Sequence, residues 1–208
     1  MAYIVINRMD YQFIFLVIVY GLWHMSQVFI ESGSVSECEI IDNVHDFYIF
    51  RMINVYLNHN IIFTTCNFVL TSFLIDINII YVVCCYLHNY NKMSRRTIII
   101  LILGVLLRQL CQYANRLPAP KNMIWYYPGI PSIFVTYHTY NDFFFSGHTF
   151  VAICMGTEIM SNIRWYVRLY GLLFIFYEIF FVVVTNAHYT MDIYAAVTTY
   201  FALKYFIK

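Results

Sequence analysis

Long apolar runs joined by short polar links constrain this chain more than any other feature. A helix needs about 20 predominantly apolar residues to cross the hydrocarbon core of a bilayer. Residues 11–30, 61–83, 97–115, 143–161, 165–185 and 189–206 each read as such a run. The chain of 208 residues is 62% hydrophobic with only 11% charged residues, against about 25% charged in a soluble domain. The expected fold is all-α: a polytopic membrane protein with six transmembrane helices in one membrane domain, residues 1–208. The stretch 47–57 is apolar as well, but Arg51 interrupts it and Asn58-His59-Asn60 ends it. It reads as an interfacial or re-entrant piece. The N-terminal run lacks a small-residue cleavage site and is expected to be a retained helix rather than a removed signal peptide.

Basic residues orient such a chain, because they gather on the cytosolic side. Lys92, Arg95 and Arg96 fall between the second and third runs, Arg164 and Arg168 between the fourth and fifth, and Lys204 and Lys208 near the end. With both termini cytosolic, the acidic segment with Glu31, Glu37, Glu39, Asp42 and Asp46 lies outside. His148 then opens the fourth span and His188 lies between the fifth and sixth, both on the outer or lumenal face. The net charge of +1 and the lack of a basic stripe argue against nucleic-acid binding. The six cysteines form no C-x-x-C pair, so no metal or disulfide framework is expected. Cys84 and Cys85 read as small core residues, with palmitoylation as the alternative.

Ionisable groups at a membrane mark functional sites by default. Residues four apart share a helix face, so Asp192 can orient and charge-stabilise the imidazole of His188. Such an imidazole is a better nucleophile or base. Ser146 and Gly147, just before His148, offer backbone N–H groups at a helix start, where anions are favoured. Together these groups suit attack on phosphorus, one histidine attacking and the other protonating the leaving oxygen. Arg108 adds a permanent charge in the third span. It has two readings, a phosphate contact or a salt bridge to Asp76 or Glu178.

The chain resembles the sphingomyelin synthase family, a branch of the type-2 phosphatidic acid phosphatase superfamily. Asn141-Asp142-Phe143-Phe144-Phe145-Ser146-Gly147-His148-Thr149 follows the family's G-D-x-x-x-S-G-H-T segment with Asn for Gly. His188-Tyr189-Thr190-Met191-Asp192-Ile193-Tyr194-Ala195-Ala196, followed by Thr198-Thr199, is similar to its H-Y-[ST]-x-D-V-x-x-A segment. Arg108 and Leu117-Pro118-Ala119-Pro120 resemble a third motif, and Glu39-Ile40-Ile41-Asp42-Asn43-Val44 is similar to the acidic motif of the first outer loop. The four stand in the family's order across residues 36 to 204. The resemblance implies a lipid-phosphatase-like catalytic core over about residues 97–206. In it His188 is the nucleophile, Asp192 orients it, His148 is the acid/base partner, Asp142 supports His148 and Arg108 contacts the phosphate.

It also implies transfer of phosphocholine or phosphoethanolamine from a glycerophospholipid to ceramide, with no cofactor and no metal. Both substrates are membrane lipids, and a homo-oligomer is compatible with the sequence. The outer loop before Asp142 is shorter than in animal members, and the first-loop motif lacks their prolines. The main rival is a lipid phosphate phosphatase, which uses water as acceptor. Phe145 replaces the proline that those enzymes carry before Ser-Gly-His, and Phe181-Val182 stands where they carry Ser-Arg. A monoester brings more negative charge than a diester and calls for several arginines, so Arg108 by itself favours a diester. A membrane scaffold or channel using Asp76, Glu158 and Glu178 remains the reading from another class. These residues also read as a polar network between helices. Trp125-Tyr126-Tyr127 reads either as a choline-binding cluster or as ordinary interfacial aromatics.

Overall fold

The computed structural model describes residues 40–207 except 90, 91, 116, 130, 131, 136 and 138–143, together with Ile14, Val17, Ile18, Tyr20, Gly21, Leu22 and Met25. The described residues form six bounded helices: α1 Tyr48–His59, α2 Ile61–Asn89, α3 Lys92–Ala114, α4 Gly147–Met160, α5 Trp165–Val184 and α6 Thr190–Phe206. The separate positions from Ile14 to Met25 are helical as well. Most of the expected first span, and Asp142, lie outside the described residues.

Three helical stretches are long and apolar enough to cross a membrane: Ile61–Cys85, Arg95–Ala114 and Trp165–Val184. They coincide with the second, third and fifth expected spans. Two other expected spans are shorter than the apolar runs that suggested them. At a rise of about 1.5 Å per residue, α4 reaches only about 21 Å and α6 about 25 Å, against a hydrocarbon core of about 30 Å. The reason for α4 is positional. It packs against α2, α3, α5 and α6 at once, and eight of its 14 residues are buried. A helix that is apolar all round can be so because protein, rather than lipid, surrounds it. The apolar run 143–161 suits either surrounding, and sequence alone does not separate the two.

The core explains this arrangement. Phe150, Ile153, Cys154 and Met155 of α4 lie at its centre, against Ile75, Ile79 and Val82 of α2, Ile100 and Leu101 of α3, Phe174 of α5, and Ala196 and Tyr200 of α6. Close approach of α4 and α5 depends on two facing glycines. A Cβ at Gly156 would stand 2.9 Å from the Gly171 carbonyl oxygen, and one at Gly171 2.7 Å from that of Gly156. Small residues of this kind let helix backbones touch. Within this packing Thr97 Oγ1 donates to Glu158 at 2.6 Å, and Asp76 accepts from the backbone N–H groups of Ile133 and Phe134 at 2.8 and 3.0 Å. Two of the three acidic residues named for a channel, Asp76 and Glu158, therefore join structural elements. Glu178 is fully buried with no hydrogen-bond partner on either oxygen among the described residues.

The stretch 47–57 forms α1, an amphipathic helix. Asn54 and Leu57 are buried, while Tyr48, Ile49, Met52, Val55 and Tyr56 are exposed. Asn54 Nδ2 donates to the Val184 carbonyl at 2.9 Å, so α1 is fastened to the end of α5. Arg96 at the start of α3 donates to the Lys204 carbonyl at the end of α6. That basic end is opposite the one that carries the histidines.

Candidate active site

The site begins with two helix starts that meet. Ser146 caps α4, its side chain accepting from the Thr149 N–H at 3.3 Å. Its own N–H donates to the Asp192 carbonyl in the first turn of α6 at 3.2 Å. This one bond brings the Ser-Gly-His segment and the His-x-x-x-Asp segment to the same end of the bundle.

His188 lies two residues ahead of α6, not on it. The chain turns there because Asn186 takes a left-handed conformation (φ 51°), a region in which Asn is enriched among non-glycine residues. Tyr189 continues extended (ψ 152°). Asp192 accepts from the Tyr189 N–H at 3.0 Å, and the same carboxylate oxygen lies 3.7 Å from Nδ1 of His188. The expected pairing is present, but the physical cause differs from the expected one. The two residues meet through a cap on the first turn, not across a shared helix face. Both are buried, and Oδ1 of Asp192 has no hydrogen-bond partner among the described residues.

Three further bonds hold the turn from the loop after α3. The Ile124 N–H donates to the Thr185 carbonyl at 2.8 Å. Asn186 Nδ2 donates to the Lys121 carbonyl at 2.9 Å, and the Tyr189 hydroxyl to the Pro118 carbonyl at 3.0 Å. The Leu-Pro-Ala-Pro motif therefore acts through its backbone, as a strut beneath His188.

His148 is held differently. Trp125 stands edge-on to its ring at 5.1 Å between centroids, and Tyr137 at 6.5 Å. Its Nε2 is buried with no hydrogen-bond partner among the described residues. His188 and Arg108 both lie close enough to act on it electrostatically. Arg108 donates from Nε to the Phe145 carbonyl at 3.0 Å. Its guanidinium lies across Gly147, where a Cβ would stand 3.0 Å from both Cζ and Nε. A side chain at Gly147 would thus push against the arginine. Neither carboxylate expected to pair with Arg108 is arranged for that purpose: both Asp76 oxygens accept backbone N–H groups, and Glu178 makes no hydrogen bond among the described residues.

Trp125, Tyr126 and Tyr127 join one aromatic group through Phe68 and Tyr137. Trp125 packs on His148, Tyr137 and Phe68, Tyr126 bonds to Thr65 at 2.9 Å, and Tyr127 is half exposed. Trp125 and Tyr137 are site residues that the sequence reading did not assign to His148. The aromatic run near the site was their one visible signal. The structure also adds His45, beside the Asp42 of the acidic motif. A cavity of about 650 Å³ opens next to them, lined by Asp42, His45, Arg51, His59, Lys121 and Asn186 among others.

This arrangement can bind a phosphate, attack it and move a proton. Residues 139–207 match the family model described as PAP2 superfamily C-terminal. The match covers the Ser-Gly-His segment and the whole His188–Asp192 segment, about a third of the chain. It supports the type-2 phosphatidic acid phosphatase superfamily and, with it, an enzyme of the lipid phosphatase or phosphotransferase kind. No curated protein matches the chain.

Proposed function

We propose that this protein is a head-group transferase that moves phosphocholine or phosphoethanolamine from a glycerophospholipid to ceramide. The observation that carries the proposal is the convergence of His148, His188 and Arg108, three groups from three motifs, at the joined starts of α4 and α6. His188 attacks the donor phosphorus, and the bond to the diacylglycerol oxygen breaks. That oxygen takes a proton from His148, which releases diacylglycerol. His148 then accepts the proton of ceramide's primary hydroxyl, whose oxygen attacks the phosphohistidine. The P–N bond breaks, and His188 is restored.

Arg108 is the permanent cation acting on His148 among the described residues. One such charge matches a phosphodiester better than a monoester, which supports transfer over phosphatase action. In this reading six spans cross the membrane, with both histidines on the outer or lumenal side, where lipids enter laterally from that leaflet. Asp142 supports His148.

Membranes containing the protein, supplied with labelled ceramide and either phosphatidylcholine or phosphatidylethanolamine, test this directly. Labelled sphingophospholipid that disappears in His188→Ala is the expected result, and the effective donor names the head group. Phosphate release from phosphatidate without transfer would reassign the chemistry to a phosphatase. No reaction from folded protein with either substrate would favour a scaffold or channel.

A further inference from the structure

The loop ahead of α1 reaches the catalytic turn from a distant part of the sequence. Asp42 accepts from the backbone N–H of Thr190 at 2.6 Å and from its hydroxyl at 3.1 Å, across 148 positions of sequence. Thr190 is the first residue of α6, so its N–H is one of the donors that a helix start cannot satisfy internally. The carboxylate also complements the positive end of the helix dipole. The Val44 N–H donates to the same carboxylate at 3.0 Å, which fixes the loop in shape.

His45 completes the contact. It hydrogen-bonds the backbone carbonyl of His188. Its Nε2 lies 3.9 Å from Oδ2 of Asp42 and has no hydrogen-bond partner among the described residues. Its ring stacks on Tyr189 with an interplanar angle of 20°, and only 8% of the residue is exposed. Asp42 thus holds Thr190, and His45 holds the His188–Tyr189 pair just before it.

We propose that Asp42 and His45 are positioning residues for His188. They fix the backbone of the catalytic turn from outside, while Asp192 orients the imidazole from within. The inference rests on His188 being the reacting residue, but the geometry it describes can be measured without turnover. A nucleophile displaced by about 1 Å can lose about 100-fold in rate, so a second anchor on the turn has a direct chemical use.

The test follows carbethoxylation of His188 by diethylpyrocarbonate, read by peptide mass spectrometry on purified full-length protein in detergent. His188 is 5% exposed and should react slowly in the parent. His45→Ala and Asp42→Ala should raise its rate several-fold. His45→Asn keeps a side-chain N–H donor and should restore slow reaction, whereas His45→Phe keeps the stacked ring without a donor and should not. Thr190→Val, which removes the hydroxyl bond but keeps the N–H bond, should fall between and covers the case in which Asp42→Ala fails to fold. Where head-group transfer is measurable, His45→Ala should lower kcat with KM nearly unchanged. Parent-like His188 reactivity in all the folded variants, or equal rescue by Asn and Phe, overturns the inference. Altered reactivity without transfer activity in the parent leaves the positioning intact and overturns the proposed function instead.

Discussion

The two histidines of the site are supported in opposite ways. The turn that carries His188 is bonded to Asp192, to the loop 118–124 and to Asp42 and His45. His148 has aromatic walls and an Nε2 without a hydrogen-bond partner among the described residues. A nucleophile must keep one position through both halves of a double displacement. A proton shuttle needs a ring nitrogen left open for exchange with two successive oxygens. The difference in bracing therefore matches the proposed division of labour.

The largest effect should come from separating those roles. His188→Ala should abolish both turnover and phosphoenzyme. His148→Ala should slow turnover by about 100- to 10,000-fold, the usual contribution of general acid–base catalysis. With a nitrophenol leaving group, which needs no protonation, phosphoenzyme formation should recover in His148→Ala but not in His188→Ala. Recovery in both variants, followed by radiolabel on protein, would break the assignment.

Next in size is the packing of α4, the helix that carries His148, against α5. Gly171→Val sets a side chain against the Gly156 carbonyl, where even a Cβ would be 2.7 Å away. Overpacking of this kind costs about 1–3 kcal/mol and should appear as a lower melting temperature in detergent. Gly147→Ala should act more locally. The new methyl pushes on the Arg108 guanidinium, so KM for the phospholipid should rise by about tenfold, the equivalent of 1.4 kcal/mol. A change in kcat alone would mean that Arg108 does not bind the substrate phosphate in the ground state.

The smallest effect should be acid loosening of the His188 turn. Burial pushes the Asp42 carboxyl up, but the Thr190 and Val44 N–H groups, His45 and the Thr190 hydroxyl outweigh it and hold the pKa below the ordinary 3.8. Its contribution is present above that value and is lost as pH falls through the lowered one. Burial also lowers His45 below the ordinary 6.5, against the opposing pull of Asp42 and its other partners. The unfolded chain therefore gains this proton first, and stability declines as pH falls below about 6.5. Hydrogen exchange at the Thr190 amide should report both steps, and Asp42→Asn should remove the lower one.

Much of this site was legible in the sequence because its reactive groups lie in two short segments. Ser146, Gly147 and His148 mark a helix start by their own chemistry, and His188 with Asp192 declares its pairing by spacing. Arg108 was legible as a costly charge in an apolar run, although its place across Gly147 was not. His45 and Trp125 carried no such mark. Each acquires a role only from a residue far along the chain, Tyr189 in one case and His148 in the other.

The sequence by itself determined that α2, α3 and α5 are long and apolar enough to span a membrane, since an apolar run of sufficient length needs no partner to be stable in lipid. It also marked the residues that the proposed chemistry uses. Only the tertiary structure decided that α4 is a short helix enclosed by four others, because burial in protein and burial in lipid demand the same apolar residues. It alone decided how His188 is held. Backbone bonds from Asp42, Pro118, Lys121 and Ile124 depend on where the chain passes, and hydropathy carries no record of that.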